Sequence, residues 1–265
     1  MENIIKVNNL VKEFSGFKAV NHISFEVKKG EVFAFLGPNG AGKTTTIKML
    51  TTLLRPTDGS VEVNGFNVLT DKDDVRRSLG IVFQDPSLDD ELTAYENMEF
   101  HGVLCRVPTD LRRKRIEELL KFVELWERKD SLVKTFSGGM KRRLEVARGL
   151  LHRPKILFLD EPTLGLDPQT RNHIWSYIQK LNKEDEITIF LTTHYLEEAE
   201  KVADRIAVID HGEIVALGKP KDLEAQTKTH TLEEAFLTLT GHGIREEEGS
   251  ALDQMRIRRR MRGIR

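Results

Sequence analysis

The chain has 265 residues, of which 39% are apolar and 31% are charged, with 41 Lys and Arg against 42 Asp and Glu. This balance excludes a bulk electrostatic preference for nucleic acid, so no nucleic-acid partner is expected. The single cysteine, Cys105, cannot form an intrachain disulfide, which favours a cytoplasmic location, and we interpret it as a small apolar helix residue. The apolar runs are far shorter than the ~20 residues of a membrane-spanning helix.

Short strand-like segments begin the chain, between Ile4 and Gly37. A glycine-rich segment follows, and then the helical pattern TTIKMLTTLL, which stops before Pro56. The alternation in SVEVNG predicts an edge strand, and LGIVFQ predicts a buried strand that ends at Gln84. The beginning of the chain is therefore predicted to be rich in β-structure, with one helix directly after the glycines.

Helical periodicity replaces the strand pattern between residues 92 and 152. The clearest apolar face consists of Ile116, Leu119, Leu120 and Val123. The basic run from Arg112 to Arg115 is expected to face water. We therefore predict a helical lobe, inserted at about residues 87–152.

Two continuous apolar segments, KILFLD and ITIFLTTH, follow the predicted lobe, with an amphipathic segment between them. This order is typical of a βαβ unit in a parallel sheet, so the chain is predicted to be an α/β protein. A last strand pair, RIAVID and EIVALG, is joined at His211 and Gly212. Residues after Lys219 are predicted to form a short helical extension.

Residues 37–44, GPNGAGKT, fit the phosphate-loop pattern G-x-x-x-x-G-K-[ST] between a strand and a helix. Glycines allow the backbone N–H groups to turn inward around an anion at the positive end of the helix. Lys43 supplies a charge between the β- and γ-phosphates, and Thr44 offers a hydroxyl to magnesium. The predicted ATP-binding residues of the loop are Gly37, Pro38, Asn39, Gly40, Ala41, Gly42, Lys43, Thr44 and Thr45.

A pair of acids, Asp160 and Glu161, ends the buried strand KILFLD. Such a position is unusual for a structural carboxylate. By itself the pair fits two interpretations equally well: the cap of a helix start, or a catalytic site in which one acid holds magnesium and the other orients the attacking water.

A second glycine motif, Ser137-Gly138-Gly139, precedes another amphipathic helix. It is a second anion-binding helix start. Two such sites are hard to explain with one nucleotide and one subunit, because the first loop already surrounds the phosphates.

Together these motifs resemble the nucleotide-binding subunits of ABC transporters, over residues 4 to about 220. The resemblance implies a P-loop NTPase with an ABC-type parallel core sheet, a β-rich N-terminal edge and an inserted helical lobe. It divides the chain into an ATP-binding domain, residues 1–220, and a C-terminal helical extension with an Arg-rich tail, residues 221–265. It also implies ATP and Mg²⁺ as cofactors, and a second copy of the chain and an integral membrane permease as partners.

The resemblance assigns roles to further residues. In the family, the Ser-Gly-Gly motif contacts the γ-phosphate of ATP that the partner subunit holds. The residues of this signature are Ser137, Gly138, Gly139 and Met140. The magnesium ligands implied by the family are Thr44, Gln84 and Asp160. The implied catalytic set is Glu161 as the base, with His194 as the γ-phosphate sensor and Gln84.

Two more positions are implied by the resemblance, and several keep alternative interpretations. Asp167 resembles the acid that communicates across the dimer, and Phe14 resembles the aromatic residue that stacks on adenine. Phe17 competes with Phe14, and both fit a core role as well. Gln84 is alternatively a surface amide, and His194 is alternatively a helix cap.

Departures from the commonest pattern indicate a subgroup. The signature has Phe136 for leucine and Met140 for glutamine, and Leu-Gly-Leu precedes Asp167. These variants, with GLDPQTR and LTTHYLEEAE, resemble the ATPases of drug-resistance and ABC-2 type exporters. The tail, residues 256–265, contains six arginines, and is either a solvated end or a segment that binds anionic lipid.

The sequence therefore predicts an ATPase at the inner face of the cell membrane that energises transport, in the direction of export, through a separately encoded permease. One alternative is a soluble ABC ATPase that acts on nucleic acid or the ribosome, although such relatives usually carry coiled-coil insertions or tandem domains. A second alternative is a regulatory module that binds nucleotide without hydrolysing it. That module would more plausibly lack the set of Asp160, Glu161 and His194.

Overall fold

The computed structural model describes residues 2–85 and 87–241, and within them the strands form two sheets. The strands are β1 (Asn3–Phe14), β2 (Phe17–Lys28), β3 (Val32–Leu36), β4 (Asp58–Val63), β5 (Phe66–Asn67), β6 (Leu79–Val82), β7 (Ile156–Asp160), β8 (Thr188–Thr192), β9 (Arg205–Asp210) and β10 (Glu213–Gly218). The helices are α1 (Lys43–Leu50), α2 (Lys72–Ser78), α3 (Ala94–Leu104), α4 (Thr109–Phe122), α5 (Gly138–Leu150), α6 (Pro168–Asp185), α7 (Leu196–Val202), α8 (Pro220–Thr227) and α9 (Leu232–Thr240).

The N-terminal sheet is antiparallel, with the strand order β2-β1-β4-β5. Along β2 the buried Ile23, Phe25 and Val27 alternate with exposed residues, because one face of the sheet packs on the core and the other faces water. The expectation that SVEVNG forms an edge strand is wrong in one respect. The two-residue β5 pairs with β4, so β4 has neighbours on both sides.

The second sheet has the order β10-β9-β3-β8-β7-β6, and its strands run parallel except for β10, which pairs antiparallel with β9. The predicted parallel core sheet is therefore confirmed, with one antiparallel strand at its edge. Every residue of β3, β7 and β8 is buried. This burial explains their uninterrupted apolar sequences, since both faces of the sheet are covered.

Two hydrophobic cores lie on opposite faces of this sheet. Ala34 and Leu36 of β3 belong to the core that also contains residues of the helices α3 to α6. Phe33 and Phe35, which alternate with them, belong to the core shared with the N-terminal sheet. The central sheet thus holds the β-rich edge on one side and the helices between β6 and β7 on the other, and it fixes where the strand ends meet.

The basic run at the start of α4 does not face water throughout, contrary to the sequence-based expectation. Arg112 is 9% exposed and donates hydrogen bonds to the carbonyl of Val107 at 2.7 Å and to Glu99 at 2.6 Å. Arg115 donates to the carbonyls of Leu150 and Leu151, both at 2.9 Å. The last turn of a helix leaves carbonyls without intrahelical partners, and Arg115 satisfies two of them at the end of α5.

The described part of the C-terminal extension packs on the domain. Leu223 of α8 and Leu232 of α9 are buried in the same core as Ala216 of β10. The boundary near residue 220 stays a prediction. The Arg-rich segment, residues 256–265, lies outside the described residues. Among the described helices, none has the length and apolar character that crossing a membrane requires.

Phe190 of β8 lies at the centre of an aromatic cluster, and its removal is expected to destabilise the fold. Its ring centroid lies 5.2 to 6.2 Å from those of Phe25, Phe33, Phe35 and Phe158. Phe190→Ala should lower the free energy of unfolding by about 3–5 kcal/mol, because it leaves a cavity between packed rings. The measurement is urea denaturation without nucleotide.

Phe17→Ala is the matched control for this prediction, because the same side chain is removed from a position that is 59% exposed. It should change the free energy of unfolding by no more than ~0.5 kcal/mol. Equal effects of the two substitutions would contradict the packing described here.

Candidate active site

The glycine-rich loop joins β3 to α1, and two of its glycines lie where no side chain fits. Gly42 has φ +110°, and a Cβ there would lie 2.5 Å from the carbonyl oxygen of Ala19. A Cβ on Gly37 would lie 2.3 Å from the carbonyl oxygen of Ile209. The loop is therefore packed against β2 and β9, and only glycine allows this close approach.

The first turn of α1 directs unpaired N–H groups toward the loop. Helix α1 begins at Lys43, so the amides of Lys43, Thr44 and Thr45 precede the first intrahelical hydrogen bonds and form an anion-binding helix start. The Nζ of Lys43 donates to the carbonyls of Gly37 at 2.6 Å and Pro38 at 3.1 Å. Burial lowers the pKa of Lys43, and the charges of Glu161 and Asp160 oppose this shift.

The remaining loop residues differ in exposure. Asn39 and Gly40 are exposed at the tip, Pro38 is half-buried, and Ala41 is buried. The carbonyl of Ala41 accepts a hydrogen bond from the amide of Gly212 at 3.1 Å, in the turn between β9 and β10. The base of the loop is thus fixed by the sheet, while its tip is open.

Asp160 ends β7 and lies beside Thr44. Its Oδ1 accepts a hydrogen bond from the hydroxyl of Thr192 at 2.6 Å, and its Oδ2 lies 3.4 Å from the donating hydroxyl of Thr44. Asp160 as a whole is 3% exposed, so its carboxylate is buried. Sequence analysis did not identify Thr192. The available signal is a polar residue at the end of an apolar strand that neighbours the strand of Asp160.

Glu161 is held by its backbone and by His194. Its amide donates to the carbonyl of Thr192 at 3.2 Å and to the Thr192 hydroxyl at 3.1 Å, and its φ is +52°. Its Oε2 accepts a hydrogen bond from the His194 amide at 3.0 Å. Its buried Oε1 lies 3.2 Å from Nε2 of His194, but their orientation is not that of a hydrogen bond. Oε1 has no hydrogen-bond partner among the described residues.

Burial and the surrounding charges together set the pKa of Glu161. Burial raises the pKa of Glu161 to about 7, against the opposing charge of Lys43 and the hydrogen bond from the His194 amide. Burial, followed by the charge of Lys43, lowers the pKa of His194, so the imidazole is neutral at pH 7. A carboxyl group with a pKa near 7 is suited to exchange a proton at physiological pH.

The alternative that these residues cap helices is wrong. The helix after the acid pair begins at Pro168, and its cap is Asp167, not Asp160 or Glu161. The N-cap position of the helix after His194 is Tyr195, whose side chain makes no capping hydrogen bond, so His194 does not occupy that position.

The second glycine motif forms the start of α5. Ser137 is its N-cap, and the Ser137 hydroxyl accepts a hydrogen bond from the amide of Met140 at 3.2 Å. A Cβ on Gly139 would lie 2.6 Å from Cγ2 of Thr170, so this helix start packs closely on α6, whereas Gly138 is exposed with open space beside it. Ser137, Gly139 and Met140 line a surface cleft of about 200 Å³.

The other predicted site residues lie at the surface or partly buried. Asp167 caps α6, accepting hydrogen bonds from the amides of Gln169 and Thr170, both at 3.0 Å, and from the Thr170 hydroxyl at 2.6 Å. The hydrogen bonds from Thr170 hold the pKa of Asp167 below its usual range. Gln84 is exposed after β6. Phe14 is half-buried at the end of β1, with the Nζ of Lys12 5.0 Å from its ring centroid.

Sequence analysis also missed Arg142 on α5. Its buried guanidinium donates to the carbonyls of Asp160 at 2.9 Å, Glu161 at 2.8 Å and Pro162 at 2.7 Å, and to that of Phe83. The basic run KRR after the signature did not distinguish this buried arginine from its half-buried neighbours.

A phosphate-binding loop between a strand and a helix, with an acid pair at the same edge of a parallel sheet, defines the class of P-loop nucleoside triphosphatases. Within this class the chain belongs to the ABC transporter family, whose model matches residues 20–164. Membership confirms the predicted family, the fold and the ATPase activity.

Curated relatives and solved structures agree with this assignment. The chain is 44% identical to the daunorubicin/doxorubicin resistance ATP-binding protein DrrA of Streptomyces peucetius, over 86% of this chain and 69% of that protein. It is 41% identical to the linearmycin resistance ATP-binding protein LnrL of Bacillus subtilis, over 92% and 76%. The solved structure of an ABC transporter ATP-binding subunit superposes with a TM-score of 0.82 and 29% identity, over 90% and 100%. A dimeric cassette, MJ0796 bound to ADP and Pi, superposes with a TM-score of 0.73 and 32% identity, over 81% and 98%.

Glu161→Gln is expected to change the pH dependence of stability. An acid whose pKa rises from 4.5 to about 7 on folding holds its proton more tightly in the folded state, so stability is lost as the pH rises through this window. The amide has no such proton. The variant should therefore exceed the native chain in stability at pH 8, by up to ~3 kcal/mol, and the difference should shrink toward pH 5.

Thermal unfolding without nucleotide, from pH 5 to pH 8, measures this difference. Glu197→Gln is the control, because Glu197 is exposed on α7 and its substitution should produce no comparable trend. A stability difference between Glu161→Gln and the native chain that does not vary with pH would contradict the assigned pKa.

Proposed function

We propose that the chain is the ATP-hydrolysing subunit of an exporter, and that it energises transport through a separately encoded membrane permease. The observation that carries the proposal is the buried, unpaired Oε1 of Glu161 beside Lys43 and His194. Such an acceptor, next to a phosphate-binding loop, is suited to hold a water molecule. The resistance functions named for two relatives support export as the direction.

In the proposed reaction, Glu161 orients a water molecule toward the γ-phosphate. The water oxygen forms a bond to the γ-phosphorus, the bond from that phosphorus to the β–γ bridging oxygen breaks, and Glu161 takes the proton. Lys43 places positive charge beside the transferred group. The hydrogen bond from the backbone amide of His194 holds the carboxylate of Glu161 in place. In this proposal the neutral imidazole of His194 faces the γ-phosphate.

Oxygen ligands from the start of α1 and the end of β7 fit a magnesium ion. The hydroxyl of Thr44 and the carboxylate of Asp160 lie 3.4 Å apart, and Mg²⁺ prefers ligands of this kind. We assign Thr44, Asp160 and Gln84 as the residues that would hold it. The ion, when bound, neutralises charge on the β- and γ-phosphates.

The exposed signature supports a shared site in a homodimer. Ser137 and Gly138 are exposed at the start of α5, and Ser137 lines a cleft to which none of the described phosphate-loop residues contributes. A helix start of this kind binds anions. We therefore propose that Ser137, Gly138, Gly139 and Met140 contact the γ-phosphate held by a second copy of the chain. Asp167, exposed at the start of the neighbouring α6, would then lie near the dimer interface.

Phe14 is proposed to stack on adenine, since its half-buried ring lies at the end of β1. Phe17, with 59% of its surface exposed, remains the competing candidate. Binding of anionic lipid by residues 256–265 stays a prediction from composition.

An exposed apolar patch on α3 supports a membrane partner. Phe100, Val103 and Leu104 are 62%, 53% and 65% exposed, and their spacing puts them on one face of the helix. Contiguous apolar surface of this kind marks an interaction site. We propose that this patch, named here the α3 patch, binds a cytoplasmic segment of the permease and places the chain at the inner face of the membrane.

ATP is expected to hold two chains together until hydrolysis. In Glu161→Gln the amide cannot act as a general base, so turnover should fall ~100-fold or more while nucleotide still binds. Light scattering with saturating ATP should then show a shift of the variant from monomer to dimer.

Two further substitutions in the Glu161→Gln background test the shared site. Ser137→Arg puts a bulky side chain at the signature and should block dimerisation, although nucleotide binding by the phosphate loop persists. Lys43→Ala should abolish both dimerisation and nucleotide binding by the phosphate loop. A Glu161→Gln chain that remains monomeric with ATP, or a Ser137→Arg variant that dimerises equally well, would refute the shared site.

Phe100→Ser combined with Leu104→Ser should weaken association with the permease. Copurification from native membranes in mild detergent should recover at least about tenfold less of the integral partner, because the patch loses apolar area that is desolvated at the interface. The ATPase activity of the isolated chain should be retained.

Leu53→Ser is the matched control, since Leu53 is 56% exposed and belongs to the segment after α1, outside α3. Equal recovery of the partner with all variants would exclude the α3 patch as the docking surface. Recovery of the native chain with ribosomes or nucleic acid instead of membranes would favour the soluble alternative.

A further inference from the structure

Three side chains with metal-binding atoms meet at the base of the helical lobe. His101 lies in the last turn of α3, Cys105 follows that helix, and His152 follows α5. One ligand atom from each lies within 4.8 Å of the other two. The Sγ of Cys105 is 3.5 Å from Nε2 of His101. In a tetrahedral zinc site with normal Zn–S and Zn–N bonds, sulfur and nitrogen are about 3.6 Å apart.

The orientation of His152 is that of a metal ligand. Its Nε2 lies 2.9 Å from the carbonyl oxygen of Leu79, which can only accept, so the hydrogen is on Nε2. Its Nδ1 therefore has a free lone pair, yet this atom is buried and has no hydrogen-bond partner among the described residues. Histidines that bind metals typically donate their other ring N–H to a backbone carbonyl or a carboxylate in this way.

The charges near the cluster act in both directions. Burial lowers the pKa of both imidazoles, that of His101 to about 4. Burial raises the pKa of the Cys105 thiol, and the charge of Arg148 opposes that shift. The same positive charge disfavours a cation, as does that of Arg115 near His152.

We propose that His101, Cys105 and His152 form a binding site for a divalent cation of the zinc type. Two imidazole nitrogens and one thiolate are ligands that Zn²⁺ prefers, with a water molecule in the fourth position. On binding, the Cys105 S–H bond breaks, a sulfur–metal bond forms, and the proton passes to solvent. Cys105 is then a ligand, and not only the small apolar helix residue that the sequence indicated.

The site connects two helices, α3 and α5, to which the proposed function gives different partners, the permease and a second copy of the chain. Its ligands join the end of α3, which carries the α3 patch, to the end of α5, which begins at the signature motif. A cation held by both ends would restrict their relative movement. Occupancy is therefore expected to stabilise the lobe, and the effect should be measurable without nucleotide or permease.

Cobalt(II) titration of the untagged, reduced chain tests the proposal directly. Cobalt replaces zinc in such sites and gives a thiolate-to-metal charge-transfer band. Since Cys105 is the single cysteine, any such band must come from it. The native chain should bind one cobalt ion with this band and with the ligand-field bands of tetrahedral cobalt. Zinc should then displace the ion, and zinc should also raise the thermal unfolding temperature.

Cys105→Ser should abolish the charge-transfer band, and His101→Gln and His152→Gln should each weaken binding at least about tenfold. His230→Ala is the control, because His230 is exposed in the connection between α8 and α9, and it should bind cobalt like the native chain. Circular dichroism and ATP binding by each variant verify the fold. Absence of the band at saturating cobalt, or a band that both histidine variants retain in full, would overturn the proposal.

Discussion

The geometry of the active site depends on the hydrogen bonds that the guanidinium of Arg142 donates. It lies buried between α5 and the end of β7, where it donates to three consecutive carbonyls, those of Asp160, Glu161 and Pro162. A buried charge is costly unless hydrogen bonds and an opposite charge compensate it, and here Glu145 supplies the charge at 3.2 Å. Lysine would be a poor replacement, because its donors all lie on one nitrogen, whereas the three nitrogens of the arginine fork reach carbonyls that lie apart. The acid pair is therefore fixed in position by the helix that begins at the signature.

The same helix holds the segment that follows β6. Glu145 accepts a hydrogen bond from the Ser87 amide at 2.8 Å, and Arg148 donates to the Ser87 carbonyl at 2.7 Å. Arg142 also contacts the carbonyl of Phe83, one residue before Gln84. Helix α5 thus contacts the Gln84 segment on one side and the acid pair on the other. A displacement of the helical lobe would therefore move both the Gln84 segment and the acid pair. Such a physical connection is required if a distant partner is to be coupled to hydrolysis.

Much of this arrangement could be predicted from sequence, because some constraints are local. The phosphate loop is predicted by the spacing of its glycines and Lys43. The central strands are predicted by their uninterrupted apolar runs, which are typical of a sheet that is covered on both faces. Other features depend on residues far apart in the chain. Most partners of Arg142, and both partners of Arg115, are backbone carbonyls, which leave no trace in the sequence. Likewise His152 approaches His101 and Cys105 only because α3 and α5 end at the same place.

The backbone conformation of Glu161 limits which sequences can occupy this position. Its φ of +52° lies in the left-handed region, which costs an L-residue roughly 1–2 kcal/mol. Apart from glycine, asparagine and aspartate adopt this region most readily, whereas β-branched residues are disfavoured there. Threonine and valine are therefore disfavoured at this position by sterics before chemistry is considered, while short polar residues would fold without reaching His194. The range of viable replacements is consequently narrow on two independent grounds, backbone conformation and side-chain length, and only a residue of the length of Glu or Gln satisfies the second.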